Sequence, residues 1–530
     1  MCMCGIAAYI GKRDAVPVLM EGLTRMEYRG YDSAGIAVVD AKGVQLFRTK
    51  GRVAGLYEKL GSAAHPQHMG IAHTRWATHG EPSERNAHPH ADCTGGILVA
   101  HNGIIENYAA LKEQLQKDGH QFASDTDTEV IAHLIEHHDK GDFAMAVQKT
   151  LPQLKGAYGI AVVSSRYPDQ VIVARFGSPL VIGLGKDEYM VASDLTAVLP
   201  ITDKVIYLND GEMGVFKKDG YTITDFFNAP KTKKTEHVTW TMEAAQLNGF
   251  PHFMLKEIFE QPEALRNTMR GRIVVSDGTV KFGGLELFEQ RIRALKRLII
   301  VGMGTARFTG LIGEYAFEEL AGIPTKVEFG SEFAYRSAAV DEHTGLIAIS
   351  QSGETADTLN AIKEAKRRGM LTLGIVNAVG STMAREVDAG MYNHVGPEIA
   401  VASTKATTSE VLILMMLAVY LGRMRGLSKS EGQHILREMQ KLPLHAEAIL
   451  DNAKSIEALA KKYYRKNNFF FVGRKYNAGT AMEGALKLKE CSYIHAEGCN
   501  AAELKHGPLS LIDNNFPSLV IVPTDSMYEK

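Results

Sequence analysis

One stretch of this chain occurs twice, and that repeat limits its fold more than any other feature. Residues 469–473, Phe-Phe-Phe-Val-Gly, match 298–302, Leu-Ile-Ile-Val-Gly, at a spacing of 171; residues 519–522 match 347–350 at a spacing of 172. Short apolar runs that end in glycine turns and return at a nearly constant interval mark a duplicated unit. Around the first copy, runs at 297–304, 345–350 and 371–377 alternate with helical stretches, the texture of a doubly wound parallel sheet. The first copy continues for some 85 residues beyond Ser350 and the second for eight beyond Val522. The repeat therefore predicts a second sheet that is incomplete by roughly 80 residues.

Upstream the pattern differs. Strand-like runs at 5–10, 35–39, 96–100, 156–164, 171–174 and 205–208 are separated by stretches such as 15–25 and 128–136, whose apolar residues recur at helical spacing. This predicts layered α/β sheets with helices outside. Residues 230–236, with Lys231, Lys233 and Lys234 and no apolar period, read as a linker. A length of 530 residues accommodates three or four domains. The expected division is 4–227, a linker over 228–247, then 248–440 and 441–530.

Several classes drop out. The 59 Lys and Arg nearly cancel the 61 Asp and Glu, so no global basic field exists for nucleic acid or an anionic membrane. The longest apolar run, 411–421, is about half the length needed to span a bilayer and reads as a buried helix. The start lacks a basic region followed by an apolar one, so no secretory signal is expected. Five cysteines, at 2, 4, 93, 491 and 499, are too scattered for a disulfide framework and fit a reducing cytoplasm.

Cys4 opens the first strand. If processing exposes it, its own α-amine, with a pKa of about 7.7–8.0, is an adjacent base for the thiol. Amide hydrolysis also needs oxyanion donors, for which Asn102 and Gly103 are candidates. It needs as well a clamp for charged substrate ends, for which Arg75 and Asp127 are candidates. The bland reading makes Cys4 a small apolar strand residue. The ordered motifs Cys4-Gly-Ile, Tyr28-Arg-Gly-Tyr-Asp-Ser, His73-Thr-Arg-Trp-Ala-Thr-His-Gly, His101-Asn-Gly-Ile-Ile-Glu-Asn and Ser124-Asp-Thr-Asp-Thr-Glu favour the other.

Together these motifs closely resemble the glutaminase domain of class II, N-terminal-nucleophile amidotransferases. The resemblance implies a four-layer αββα fold and hydrolysis of glutamine to glutamate and ammonia. It implies that Cys4 is the nucleophile, that Asn102 and the Gly103 N–H form the oxyanion hole, and that Arg75 and Asp127 bind glutamine. It also implies that Trp76 gates an ammonia channel and that Arg29 lies in a responsive active-site segment. The family nucleophile follows the initiator methionine, whereas Met1, Cys2 and Met3 precede Cys4 here. Either translation begins at Met3, the tripeptide is removed, or the glutaminase is idle; the first is favoured because Met3-Cys4-Gly5 restores the family's start. The histidines 73, 79, 88, 90 and 101 are accompanied by no zinc-type spacing, so no metal is expected.

In the repeated region, Ser350-Gln-Ser-Gly-Glu-Thr355 lies between a strand and a helix. Its hydroxyls, its glycine and the helix's positive end suit a phosphate, and a plain turn with an N-cap is the alternative. Gly302-x-Gly304 lacks the third glycine of a dinucleotide site. With Glu328-Phe-Gly-Ser-Glu-Phe and Val401-Ala-Ser-Thr-Lys-Ala, the loop resembles sugar isomerase (SIS) domains. This implies phosphate contacts from Ser350, Gln351, Ser352 and Thr355, with Ser403 near the sugar; Ala306 departs from a serine often found there. Lys487 and Glu490, three apart on a helix, would on spacing alone be an exposed ion pair, and His506 precedes Gly507-Pro508. A carboxylate and a histidine also suit proton transfer between adjacent carbons and sugar-ring opening.

The string Glu483-Gly-Ala-Leu-Lys-Leu-Lys-Glu490, continuing through Ser492-Tyr-Ile-His-Ala-Glu497 and Glu503-Leu-Lys-His-Gly-Pro508, resembles the family of isomerising glutamine:fructose-6-phosphate aminotransferases. The family implies ring opening by His506, proton transfer between sugar C1 and C2 by Glu490, assistance from Lys487, and a Schiff-base lysine in a C-terminal tail. That tail is expected to be missing, with synthase activity impaired or lost. The resulting expectation is a cytoplasmic homodimeric α/β enzyme: an αββα domain followed by two SIS domains, the second incomplete. It would act on L-glutamine and D-fructose 6-phosphate, without cofactor, nucleic acid or membrane. A sugar-phosphate-binding regulatory protein and a class II amidotransferase with another acceptor are the competing readings.

Overall fold

The computed structural model describes residues 4–27, 30–76, 79–238, 247–525 and 528; Met1, Cys2 and Met3, with the expected start, and Arg29 lie outside the described residues. The chain forms two compact units, Met1–Ala245 and Gln246–Lys530.

The strands of the first unit are β1 (Gly5–Ile10), β2 (Ser33–Asp40), β3 (Gly43–Lys50), β4 (Met69–Arg75), β5 (His90–Ala91), β6 (Ile97–Gly103), β7 (Tyr158–Ser164), β8 (Tyr167–Phe176), β9 (Val181–Gly185), β10 (Glu188–Ala192), β11 (Lys204–Tyr207), β12 (Glu212–Lys217), β13 (Gly220–Asp225) and β14 (Glu236–His237). They form an eight-stranded sheet, β14-β11-β9-β10-β1-β4-β2-β3, and a six-stranded sheet, β13-β12-β8-β7-β6-β5. Both faces of each sheet are covered, so side chains of either parity are apolar. In β1, Ile6, Ala8 and Ile10 join Leu98, Ala100, Ala161 and Val163 between the sheets. Ala7 and Tyr9 pack instead on the helix Ala15–Met26. Ile97 and Val99 face the helices Glu129–His138 and Phe143–Thr150. The layers therefore run helix, sheet, sheet, helix. Within the stretch read as linker, Glu236 and His237 pair with Val205 and Lys204 as a short edge strand.

The strands of the second unit are β15 (Ile273–Val274), β16 (Thr279–Val280), β17 (Arg297–Gly302), β18 (Thr325–Phe329), β19 (Thr344–Ser350), β20 (Leu371–Val376), β21 (Ala389–Tyr392), β22 (Asn468–Gly473), β23 (His495–Asn500) and β24 (Ser518–Val520). A parallel sheet runs β18-β17-β19-β20-β21 and a second runs β23-β22-β24. Leu298 and Ile300 face the helices Thr305–Ala321 and Lys405–Arg425, while Ile299 and Val301 face Ala356–Arg367, which is the doubly wound arrangement. The helix Lys405–Arg425 is long and apolar enough to cross a membrane, but 72% of its most apolar window is buried inside the unit, as in a core helix.

The repeat is visible in the topology. β17 lies between β18 and β19 as β22 lies between β23 and β24, and each central strand leads into a 17-residue helix, Thr305–Ala321 or Tyr476–Ser492. Even the turn is copied. Gly304 has φ 52°, ψ −124°, and Lys475, its counterpart 171 positions on, has φ 51°, ψ −127°.

Candidate active sites

Strand pairing assembles the first site. β1 lies against β4, with Gly5 opposite Thr74, which sets Cys4 beside the end of β4. The Trp76 N–H points at Cys4 Sγ, 3.2 Å away, and the Asn102 amide donates to the Cys4 carbonyl at 3.0 Å. The other end of that amide, Oδ1, accepts from His73 Nε2–H at 3.0 Å. Because the Cys4 carbonyl can only accept, it fixes the amide orientation, and Oδ1, which also only accepts, then fixes the imidazole tautomer. Burial pushes the His73 pKa down to about 3, so its ring is neutral at ordinary pH. His73 stacks on His88 at 4.2 Å, and burial also lowers His88, His90 and His101. These histidines form a neutral polar wall.

Gly103 ends β6 at φ 131°, where a Cβ would collide with the Ala157 carbonyl, so only glycine brings its N–H to this position. Arg75 is buried, and its guanidinium donates to the His79 and Gly80 carbonyls. The His79 ring is 4.0 Å from Asp127, whose other carboxylate oxygen accepts the Ile105 N–H at 2.8 Å. Cys4, Arg75, Asn102 and Asp127 are each at most 5% exposed, while Trp76 is 40% exposed and meets Tyr31 edge-on. The sequence reading missed the positioning roles of His73 and His79. His73 lies 29 positions from its partner, and nothing local signals that pairing.

The second site lies at the carboxyl ends of β17 and β19, where strand order reverses and parallel sheets bind ligands. Ser350 Oγ accepts the Gly353 N–H at 3.1 Å and lies 3.0 Å from Thr355 Oγ1, and Ser352 Oγ accepts the Glu354 N–H. Thr355 is the N-cap of Ala356–Arg367, yet its side chain makes no capping bond. Gly353 has φ 66°, and a Cβ there would strike Ser381. Glu354 clamps Thr382 through both its N–H and its hydroxyl. Glu398 holds the neighbouring loop by accepting from Ser403 Oγ at 2.7 Å and from the N–H groups of Thr404 and Ala406.

Lys487 is brought to the same strand end. It donates to Thr305 Oγ1 at 2.9 Å and pairs with Glu490 at 2.6 Å and Glu483 at 3.4 Å; Thr305 in turn donates to Glu483. Lys487 is 18% exposed, so the pair is not a freely solvated one. Burial first, then nearby Glu398 and Glu483, raises the pKa of Glu410 well above normal; burial likewise raises Glu483. His506 is exposed at the end of the 3-10 turn Glu503–His506, and no hydrogen bond among the described residues ties it to Lys487 or Glu490. Thr305 and Glu398 are polar groups the sequence reading missed here, and the contacts of Glu483 with Thr305 and Lys487 were not foreseen.

Comparison with known proteins places these sites in context. Residues 60–241 match the family model of the glutamine amidotransferase domain, and residues 291–420 and 462–530 match that of the SIS domain. All of the chain aligns, at 50% identity, with 87% of a Chlorobaculum tepidum protein named glutamine--fructose-6-phosphate aminotransferase [isomerizing]. A Thermus thermophilus protein of the same name is 47% identical over the same shares. Among solved structures, the C-terminal domain of glucosamine-fructose-6-phosphate aminotransferase from Francisella tularensis superposes with a TM-score of 0.52 at 35% identity, covering 54% of this chain and 79% of that one.

Proposed function

The chain belongs to the family of isomerising glutamine–fructose-6-phosphate aminotransferases, and from that membership we propose how its residues divide the work. The protein is an enzyme that uses glutamine to aminate fructose 6-phosphate, isomerising it to glucosamine 6-phosphate. The division proposed is a glutaminase domain over 4–227, a linker over 228–247 and SIS domains over 248–440 and 441–530, working as a cytoplasmic homodimer.

With its α-amine free to take the thiol proton, Cys4 attacks the glutamine side-chain carbonyl. Asn102 and the Gly103 N–H stabilise the oxyanion, ammonia leaves with the proton, and water releases glutamate. Arg75 and Asp127 grip the α-carboxylate and α-ammonium, and Trp76 gates the exit of ammonia. Ser350, Gln351, Ser352 and Thr355 hold the sugar phosphate, and Ser403 lies near the sugar. His506 opens the ring, Glu490 moves the proton between C1 and C2, and Lys487 assists it. The observation that carries this reading is the Asn102 amide, held by His73 and donating to the residue that bears the thiol.

The experiment is a paired assay of glutamate and glucosamine 6-phosphate, with intact-mass analysis of the active protein. Cys4→Ala is expected to abolish glutamate formation and, with it, any glutamine-driven amino-sugar formation, and active protein is expected to begin at Cys4. Glutamine-driven amino-sugar formation by Cys4→Ala, or full activity in protein retaining Met1, would overturn the reading.

A further inference from the structure

We infer that Cys93, His120, His133 and Glu136 form a closed, structural zinc site in the first unit. Atoms of all four lie within 4.8 Å of one another. Cys93 Sγ is 3.6 Å from His120 Nδ1 and 3.5 Å from His133 Nδ1, and Glu136 Oε2 is 2.9 Å and 3.3 Å from the same two nitrogens. A tetrahedral zinc with bonds of about 2.3 Å to sulfur and about 2.0–2.1 Å to nitrogen and oxygen requires sulfur–nitrogen edges of about 3.5 Å and nitrogen–oxygen edges of about 3.3 Å. Four of the six edges lie close to these lengths, and the remaining two are within 4.8 Å.

The chemistry agrees with the geometry. One thiolate, two neutral imidazoles and one carboxylate balance the charge of a divalent cation, and a sulfur–nitrogen set favours zinc over calcium or magnesium. Binding releases the Cys93 thiol proton to solvent. His133 is 1% exposed, and its Nε2 has no hydrogen-bond partner among the described residues but faces Glu129 Oε1 at 3.6 Å. Metal at Nδ1 fixes the proton on Nε2, directed at that carboxylate, the usual outer support of a ligating histidine. Glu129 meanwhile accepts the N–H groups of Ala123 and Ser124.

The ligands come from three places: the turn after β5, the segment after the helix Tyr108–Lys117, and the helix Glu129–His138. An ion there would pin together the elements that carry Asp127. All four coordination positions are filled by protein, so the role is structural rather than catalytic. Gaps of 26, 12 and two residues match none of the common zinc spacings, so nothing local in the sequence marks this set.

The test uses the full chain, purified without a metal-affinity step, stripped with a chelator and reloaded with zinc or cobalt(II). About one zinc per chain should survive dialysis, and the cobalt form should display a thiolate-to-metal charge-transfer band. Cys93→Ser, at an exposed position, should fold, lose the band and bind zinc at least tenfold more weakly. Glu129→Gln should keep the band with affinity about 10–100-fold lower. Substoichiometric zinc, a missing band in the wild type, or equal affinity in Cys93→Ser would each overturn the inference.

Discussion

Asn102 works through both ends of one amide: its oxygen is held by His73 and its nitrogen reaches Cys4. Replacing His73 by Phe keeps the volume but frees the amide to turn. The expected result is a fall in glutaminase kcat of about 10–100-fold with little change in the KM for glutamine, smaller than the roughly 10²–10³-fold loss expected for Asn102→Ala. Steady-state kinetics on glutamine alone separates the two. A second residue-scale prediction concerns Lys475, which adopts a backbone conformation that suits glycine. Lys475→Gly should raise stability by about 1 kcal/mol in denaturant melts, because the ion pair with Glu319 that it sacrifices is partly exposed and weak. At this scale the motifs were legible and the contacts between them were not. Cys4, Asn102 and Asp127 stand in recognisable strings, whereas His73 reaches Asn102 only through the pairing of distant strands.

Among elements, the loop before the helix Lys405–Arg425 shows how a buried start is satisfied without a conventional cap. Thr404 makes no side-chain capping bond, and Glu398 accepts the N–H groups of Thr404 and Ala406 instead. Glu398→Ala should leave these donors unpaired, at about 1–3 kcal/mol, and loosen Ser403. The KM for fructose 6-phosphate should rise about tenfold while glutamine hydrolysis without acceptor is unchanged, as measured by the paired product assay. The elements read from the sequence are strands buried on both faces, apolar at every position, and helices that keep their period; β3, β4, β9, β10, β12, β13, β18 and β21 were not read. Nor was the edge strand Glu236–His237: two polar residues in a lysine-rich stretch join the sheet only because β11 presents an open edge. The short β24 was anticipated by the repeat rather than by its own pattern.

Taken whole, the molecule carries two opposed pH responses. In the first unit the four buried histidines have lowered pKa values, His73 to about 3. The unfolded chain binds their protons first, so stability is present above about pH 6.5 and falls as pH drops, by about 1.4 kcal/mol per pH unit for each proton. In the second unit, burial raises Glu257 to about 7 and Glu410 well above its ordinary value. Their contribution is complete below about pH 4.5 and is lost as pH rises through 7. Calorimetry across pH 5–8 should show the two unfolding transitions moving in opposite directions; parallel movement would refute the assignment. The duplication has a further outcome, through Thr305. Its hydroxyl, at the mouth of one copy, sits between the ammonium and a carboxyl of the other copy's helix. The twins thus meet through side chains that differ between them: one brings a lone hydroxyl, the other an ammonium flanked by carboxyls. Neither could be swapped for its sibling: the counterparts of Thr305, Glu483 and Lys487 are Tyr476, Ile312 and Ala316, so a chimera built from two identical halves would keep the architecture while losing this junction.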